Sequence, residues 1–272
     1  MKTIIAATDF SPAALNAAQY AADMAATIDA ELMLLHVVEA PIMYNEVPVA
    51  VNPADMMKDA MKSITQLQKE LHQRTKGKIE IGAEVKEGMF FPELEALCEQ
   101  LHPYTVVMGS QGTSAAERLF FGAHAVRAAR NLDWPLITVP PDVKFSSVKK
   151  IGLACDFDEV TGLVPVDEIK MLVKDFNASL HILNTGKEKV FDPNIIYRSG
   201  RIEEMLEGIR PEYHFITHTD TDEGIMEFAE KNGIDILVVF PKRHGLIDKL
   251  VHKSHTKKMI LHSHVPVMAL HQ

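Results

Sequence analysis

Lys2-Thr3-Ile4-Ile5-Ala6-Ala7-Thr8-Asp9-Phe10 opens the chain, and Lys149-Lys150-Ile151-Gly152-Leu153-Ala154-Cys155-Asp156-Phe157 repeats it half a chain later. Each stretch sets lysine before a short apolar run and closes on aspartate and phenylalanine. A continuous apolar run of this length, bounded by polar residues, marks a strand buried on both faces, as in a parallel sheet. The halves also end alike. Asp133-Trp134-Pro135-Leu136-Ile137-Thr138-Val139 is echoed by Ser263-His264-Val265-Pro266-Val267-Met268-Ala269-Leu270. A repeat of about half the chain is domain-sized rather than solenoid-sized. Two tandem domains are expected, over residues 1–144 and 145–272.

Outward from Asp9, Ser11-Pro12 supplies an N-cap and a proline at the first helical position. Ala14, Ala17, Ala18, Ala21, Ala22 and Ala25 then form one stripe at helical spacing, small enough to lie close on a sheet. A second strand is expected at 31–38, a polar loop at 45–53, and a helix to about Lys76 with Met57, Met61, Ile64, Leu67 and Leu71 inward. Ile79, Ile81, Ala83 and Val85 alternate as a third strand. Helices at 92–100 and 114–131 flank a buried strand at 104–108, and Leu136–Val139 is the fifth strand. Pro140-Pro141 stops it. The second half has strands expected at 151–154, 180–184, 214–217, 236–240 and 267–270. Such alternation predicts an α/β, Rossmann-like fold: two five-stranded parallel-sheet domains with right-handed crossovers. Pairing of the two last strands into a pseudo-dimer would remove their exposed edges.

The chain has 272 residues, a formal charge of −9, 47% hydrophobic and 24% charged residues. That is a globular composition, and its sign argues against a general binder of nucleic acid or anionic membrane. The two cysteines, Cys98 and Cys155, make no disulfide framework and are expected as buried free thiols. No apolar run is long enough to span a bilayer, and Met1-Lys2 leads directly into a strand. A cytoplasmic location is expected.

Ligands of open α/β sheets bind beyond the carboxyl ends of the strands. There, Met108-Gly109-Ser110-Gln111-Gly112 follows the fourth strand, and nine residues later Gly122-Ala123-His124-Ala125 stands at a helix. Glycines at such a turn let backbone amides approach a phosphate, and a helix start adds its dipole. Glycine at a strand-to-helix turn also answers a purely steric need. Asp9 and Val37, at the ends of the first two strands, share that edge; a carboxylate suits ribose hydroxyls and an apolar strand end suits a purine.

Ala7-Thr8-Asp9-Phe10-Ser11, Leu35-His36-Val37, Met108-Gly109-Ser110 and the G-x2-G-x9-G spacing from Gly109 through Gly112 to Gly122 together resemble the universal stress protein family. The resemblance covers nearly the whole chain as a tandem pair. It implies five-stranded parallel domains of the adenine nucleotide alpha hydrolase-like type that dimerise through their last strands, many of which bind ATP. Carried over, it assigns Asp9, beside Thr8, to the adenosine side and Val37 to the adenine pocket. It assigns Gly109, Gly112 and Gly122 to the phosphates, with Met108 and Ser110 in the same turn. One departure stands out. ATP-binding members carry hydroxyls where this chain has Ala123 and Ala125, and hydrogen bonds to charged groups are worth roughly 1.5–3 kcal/mol each.

In the second half the matching turn is Phe240-Pro241-Lys242-Arg243-His244, and His244 and Lys253 stand where the later glycines would be. Proline removes an amide donor, so no glycine-loop nucleotide site is expected there. One alternative gathers Lys242, Arg243, Lys253, Lys257 and Lys258 into an anion pocket. Another pairs His252 with His255 on one helix face for a metal, although no cysteine-containing zinc spacing is present. The plainer reading of both is a solvated helix face.

No G-x-S-x-G elbow or Walker motif is present, so no catalytic residue is assigned and weak nucleotide hydrolysis is only an alternative. The expectation is a regulatory stress protein whose first domain takes ATP or another adenine nucleotide, with the role of magnesium open. The alternative is a nucleotide-free scaffold. An unidentified protein partner and a homodimer are expected; nucleic-acid and membrane partners are not.

Overall fold

The computed structural model describes residues 1–39, 52–110, 124–155, 165–184, 204, 206–241 and 253–271. The expectations at Gly112, Gly122, Ala123, Asp156, Lys242, Arg243, His244 and His252 fall outside the described residues. The first half runs β1 (Lys2–Ala7), α1 (Pro12–Thr27), β2 (Ala30–Val38), α2 (Pro53–Arg74), β3 (Ile81–Glu87), α3 (Phe90–Leu101), β4 (Thr105–Gly109), α4 (described over 124–131) and β5 (Leu136–Val139). The second runs β6 (Lys150–Ala154), α5 (Val166–Phe176), β7 (Ser179–Asn184), β8 (Glu212–Phe215), α6 (Thr221–Lys231), β9 (Ile236–Val239), α7 (Lys253–His262) and β10 (Val267–Ala269).

All ten strands lie in one sheet, ordered β3-β2-β1-β4-β5-β10-β9-β6-β7-β8. Every pairing is parallel except that between β5 and β10, where Thr138, Ile137 and Leu136 face Val267, Met268 and Ala269. The expected pseudo-dimer is thus built within one chain. Strand alternation divides the core between the sheet's two faces. Ile4 and Ala6 pack with α1 and α2, while Ile5 and Ala7 pack with α3 and α4. Both layers cross the seam: Val139 and Val238 belong to one cluster, Leu136 and Leu237 to the other.

The alanine-rich α1 is buried round most of its girth, not along one stripe, with Ala13, Asn16, Tyr20 and Met24 enclosed as well. The connection between the halves covers its outer side. Buried Asn16 donates to the Pro140 and Val143 carbonyls at 3.1 and 2.9 Å. Tyr20 meets Phe145 edge-on with ring centroids 5.1 Å apart. Lys2 reaches Asp175 of the second half at 2.6 Å.

Three expectations are corrected. Met61 is 50% exposed, because the inward row of α2 is Ala60, Ile64, Leu67 and Leu71. The third helix starts at Phe90, two residues before Pro92, because Glu39 Oε1 accepts from the Phe90 amide at 2.9 Å and caps that end. Strand β8 starts at Glu212 rather than His214, since pairing with β7 sets its bounds. Cys98 and Cys155 are buried free thiols, and burial followed by the Glu95 charge pushes the Cys98 thiol up to about 12. No described helix is long and apolar enough to cross a membrane.

Residues 1–144 expressed alone would leave the apolar β5 edge unpaired. That fragment is expected to self-associate in sedimentation equilibrium, whereas the full chain already pairs β5 internally.

Candidate functional site

Four consecutive residues after β1 are held by their own side chains. Thr8 Oγ1 accepts from the Phe10 amide at 3.0 Å, and Asp9 Oδ1 accepts from the Ser11 amide at 2.9 Å. Ser11 Oγ then caps α1 by accepting from the Ala14 amide at 3.2 Å. Phe10 takes φ +65°, a left-handed conformation that costs a bulky residue roughly 1–3 kcal/mol. Its ring lies 4.5 Å from that of His36, which offsets part of this. His36 Nδ1 donates to the Thr8 carbonyl at 2.8 Å, tying β2 to the turn. The turn thereby holds Asp9 with Oδ2 buried and, among the described residues, without a hydrogen-bond partner.

A cavity of about 240 Å³ opens at the carboxyl ends of β1, β2 and β4. Its walls include Thr8, Asp9, Val37, Met108 and Gly109, which the sequence placed at this edge. They also include His36, Glu39, Phe90 and His124, which it did not assign to a site. His124 stacks on Phe90 at 5.3 Å and 22°. The signal for His36 lay inside the Leu35-His36-Val37 motif. Glu39, Phe90 and His124 come from separate segments, and their meeting has no local sequence signature.

Other expected site residues lie elsewhere or do other work. Ser110 is buried, and its amide donates to the Val139 carbonyl at 2.9 Å, so it extends the sheet. Ala125 has no exposed surface and packs in the core with Val106 and Leu136. At Gly109 a Cβ would come within 3.0 Å of the Ala13 carbonyl carbon and oxygen. The close approach of β4 to the start of α1 is therefore itself a reason for glycine at this position.

In the second domain, two basic residues of α7, His255 and Lys258, are committed to carboxylates. Lys258 Nζ contacts Asp220 at 2.7 Å and Glu223 at 3.0 Å, and this ammonium holds the Asp220 carboxyl below its usual range. His255 Nδ1 stands 2.6 Å from Asp222, whose side chain is only 4% exposed. These contacts fasten α7 to the start of α6. They count against the alternative that Lys258 joins an anion pocket, because two carboxylates already face its ammonium.

The sequence profile of the universal stress protein family matches residues 1–140 and again 147–271. A universal stress protein of Methanocaldococcus jannaschii is 29% identical over 147 residues, 51% of this chain and 81% of that protein. The crystal structure of a universal stress protein from Archaeoglobus fulgidus superposes with a TM-score of 0.74 at 18% identity, covering 99% of this chain and 98% of the other. A functionally unknown protein from Pseudomonas aeruginosa superposes at 0.61 and 11% identity, over 100% of this chain and 92% of its own. At these identities the structural matches speak for the fold.

A Gly109→Ala substitution must displace the Ala13 backbone, so it is expected to destabilise the protein by about 1–3 kcal/mol. Urea unfolding of the two proteins checks this without any ligand.

Proposed function

The chain belongs to the universal stress protein family, and on that premise we propose that it is a regulatory stress-response protein whose first domain binds an adenine nucleotide. The observation that carries the reading is Asp9 Oδ2, buried on the cavity wall with no partner. A buried acceptor left unsatisfied costs free energy that a ligand hydroxyl would recover, and the vicinal hydroxyls of a ribose are suited to a carboxylate. Ala7, Val37 and Met108 supply an apolar wall for a purine, and Phe90 with His124 adds aromatic surface. The start of α1 borders the same cavity through Ser11, Ala13 and Ala14, where the helix dipole favours phosphate. In this reading residues 1–144 form the binding domain. Residues 145–272, with Pro241 in the matching turn, serve as its permanent partner. Two buried thiols suit a reducing compartment, and we place the protein in the cytoplasm.

A nucleotide-free scaffold is the second reading. It is favoured by a cavity wall that, among the described residues, holds Asp9 and Glu39 but neither lysine nor arginine. Asp9→Asn separates the two readings, because the amide oxygen still accepts from Ser11 while the second acceptor is lost. Calorimetric titration of nucleotide-stripped protein with ATP, with and without magnesium, is expected to show saturable binding. Asp9→Asn should weaken it about ten- to a hundred-fold, the value of hydrogen bonds to a charged group. Equal affinity in the variant would remove Asp9 from the site. Absence of binding to the native chain at millimolar ATP would establish the scaffold reading.

A further inference from the structure

The outer strands of the second domain bring two histidines and a glutamate together far from the cavity. In the β7–β8 register His181 faces Glu212, and His214 follows two residues along, so all three side chains share one face of the sheet. Their ligand atoms all lie within 4.8 Å of one another. His181 Nδ1 stands 3.0 Å from His214 Nε2 and 3.6 Å from Glu212 Oε2. The rings stack at 5.2 Å and 21°, and Phe228 of α6 packs 4.7 Å from the His214 ring. His181 is buried, whereas the Glu212 side chain is 64% exposed, so the cluster is backed by core and open on one side.

The proton arrangement on His181 suits a ligand. Ser179 Oγ stands 3.2 Å from the Lys149 carbonyl, to which it can donate, and 2.8 Å from His181 Nε2. A hydroxyl has one proton to give. When that proton is directed at the Lys149 carbonyl, the ring hydrogen of His181 belongs on Nε2, and Nδ1 can turn a lone pair toward His214 and Glu212. Metal-binding histidines are held in this way, the distal N–H fixed by an outer acceptor while the other nitrogen faces the ion. Lys150, the neighbouring cation, is held away by donating to the Asn232 carbonyl at 3.0 Å.

We propose that His181 Nδ1, His214 Nε2 and the Glu212 carboxylate form a binding site for a divalent transition-metal ion on the β7–β8 edge. Two imidazoles and one carboxylate are a donor set that zinc accepts, with water completing its shell. Zinc lies about 2.0–2.1 Å from imidazole nitrogen, so the two nitrogens need only separate by a few tenths of an ångström. Bound there, the ion would fasten edge strand β8 to β7 and replace the hydrogen bond between the histidines. The site does not depend on nucleotide binding in the first domain.

The test uses the full chain stripped with chelator and titrated with zinc in the calorimeter. Cobalt serves as a second probe, because its visible absorption reports the coordination number. One equivalent is expected to bind with a low-coordinate cobalt spectrum and to raise the melting temperature, as any ligand of the native state does. His214→Ala should abolish that equivalent. Ser179→Ala should weaken it about ten- to a hundred-fold as an outer-shell change, and Glu212→Gln by more. Glu212 is exposed, so a loss in Glu212→Gln is not a folding failure, and His72→Ala controls for surface histidines. Native protein that takes up no metal, or Glu212→Gln and His214→Ala proteins that bind as the native one does, would overturn the proposal.

Discussion

The antiparallel pairing of β5 with β10 is the constraint on which the rest of this molecule depends. Each half is a parallel sheet whose last strand is fully buried: Leu136, Ile137, Thr138 and Val139 on one side, Val267, Met268 and Ala269 on the other. Left alone, each would present unpaired backbone amides and carbonyls on an apolar edge, a surface prone to association. Joining them satisfies both edges at once and makes the layers of core continuous across the seam. The connection between the halves is then drawn over α1, where Asn16 binds its carbonyls and Phe145 covers Tyr20. The alanine-rich helix is enclosed round most of its girth.

The same pairing decides where ligands can approach. Because β5 and β10 run in opposite directions, the carboxyl ends of the two sets of parallel strands lie on opposite edges of the sheet. The cavity of the first domain therefore opens away from the carboxyl ends of the second domain's strands. The halves have diverged in how they use these ends. The first holds Asp9 in a turn strained at Phe10, with an acceptor left unsatisfied. The second spends Lys258 and His255 on Asp220, Glu223 and Asp222, so this part of the basic run is a fastening between helices.

Much of the fold was legible because buried parallel strands and the helices between them have distinct periods. Ile4–Ala7, Leu136–Val139 and the second-half runs declared themselves as strands, and Ser11-Pro12 declared the start of α1. Element ends were less legible, because they depend on partners distant in the chain. Glu39 starts α3 at Phe90, and β7 sets the start of β8. Thr8, Asp9, Val37, Met108 and Gly109 were legible at the cavity because all stand at strand ends, which topology gathers on one edge. That the Ser110 amide is committed to the Val139 carbonyl was not legible from its place in the glycine turn, because strand pairing decides it.

By itself, then, the sequence determined two tandem α/β domains and the edge of the first that carries Asp9, through apolar period, internal repeat and turn chemistry. These are local properties, carried by residues close together in the chain. Only the tertiary structure decided that Asp9 Oδ2 lacks a partner, that Gly109 is hemmed in by Ala13, and that His181 meets Glu212 and His214. Each of those facts depends on the distance between atoms from separate elements. That distance is set by strand register and helix packing, which no spacing along the chain encodes.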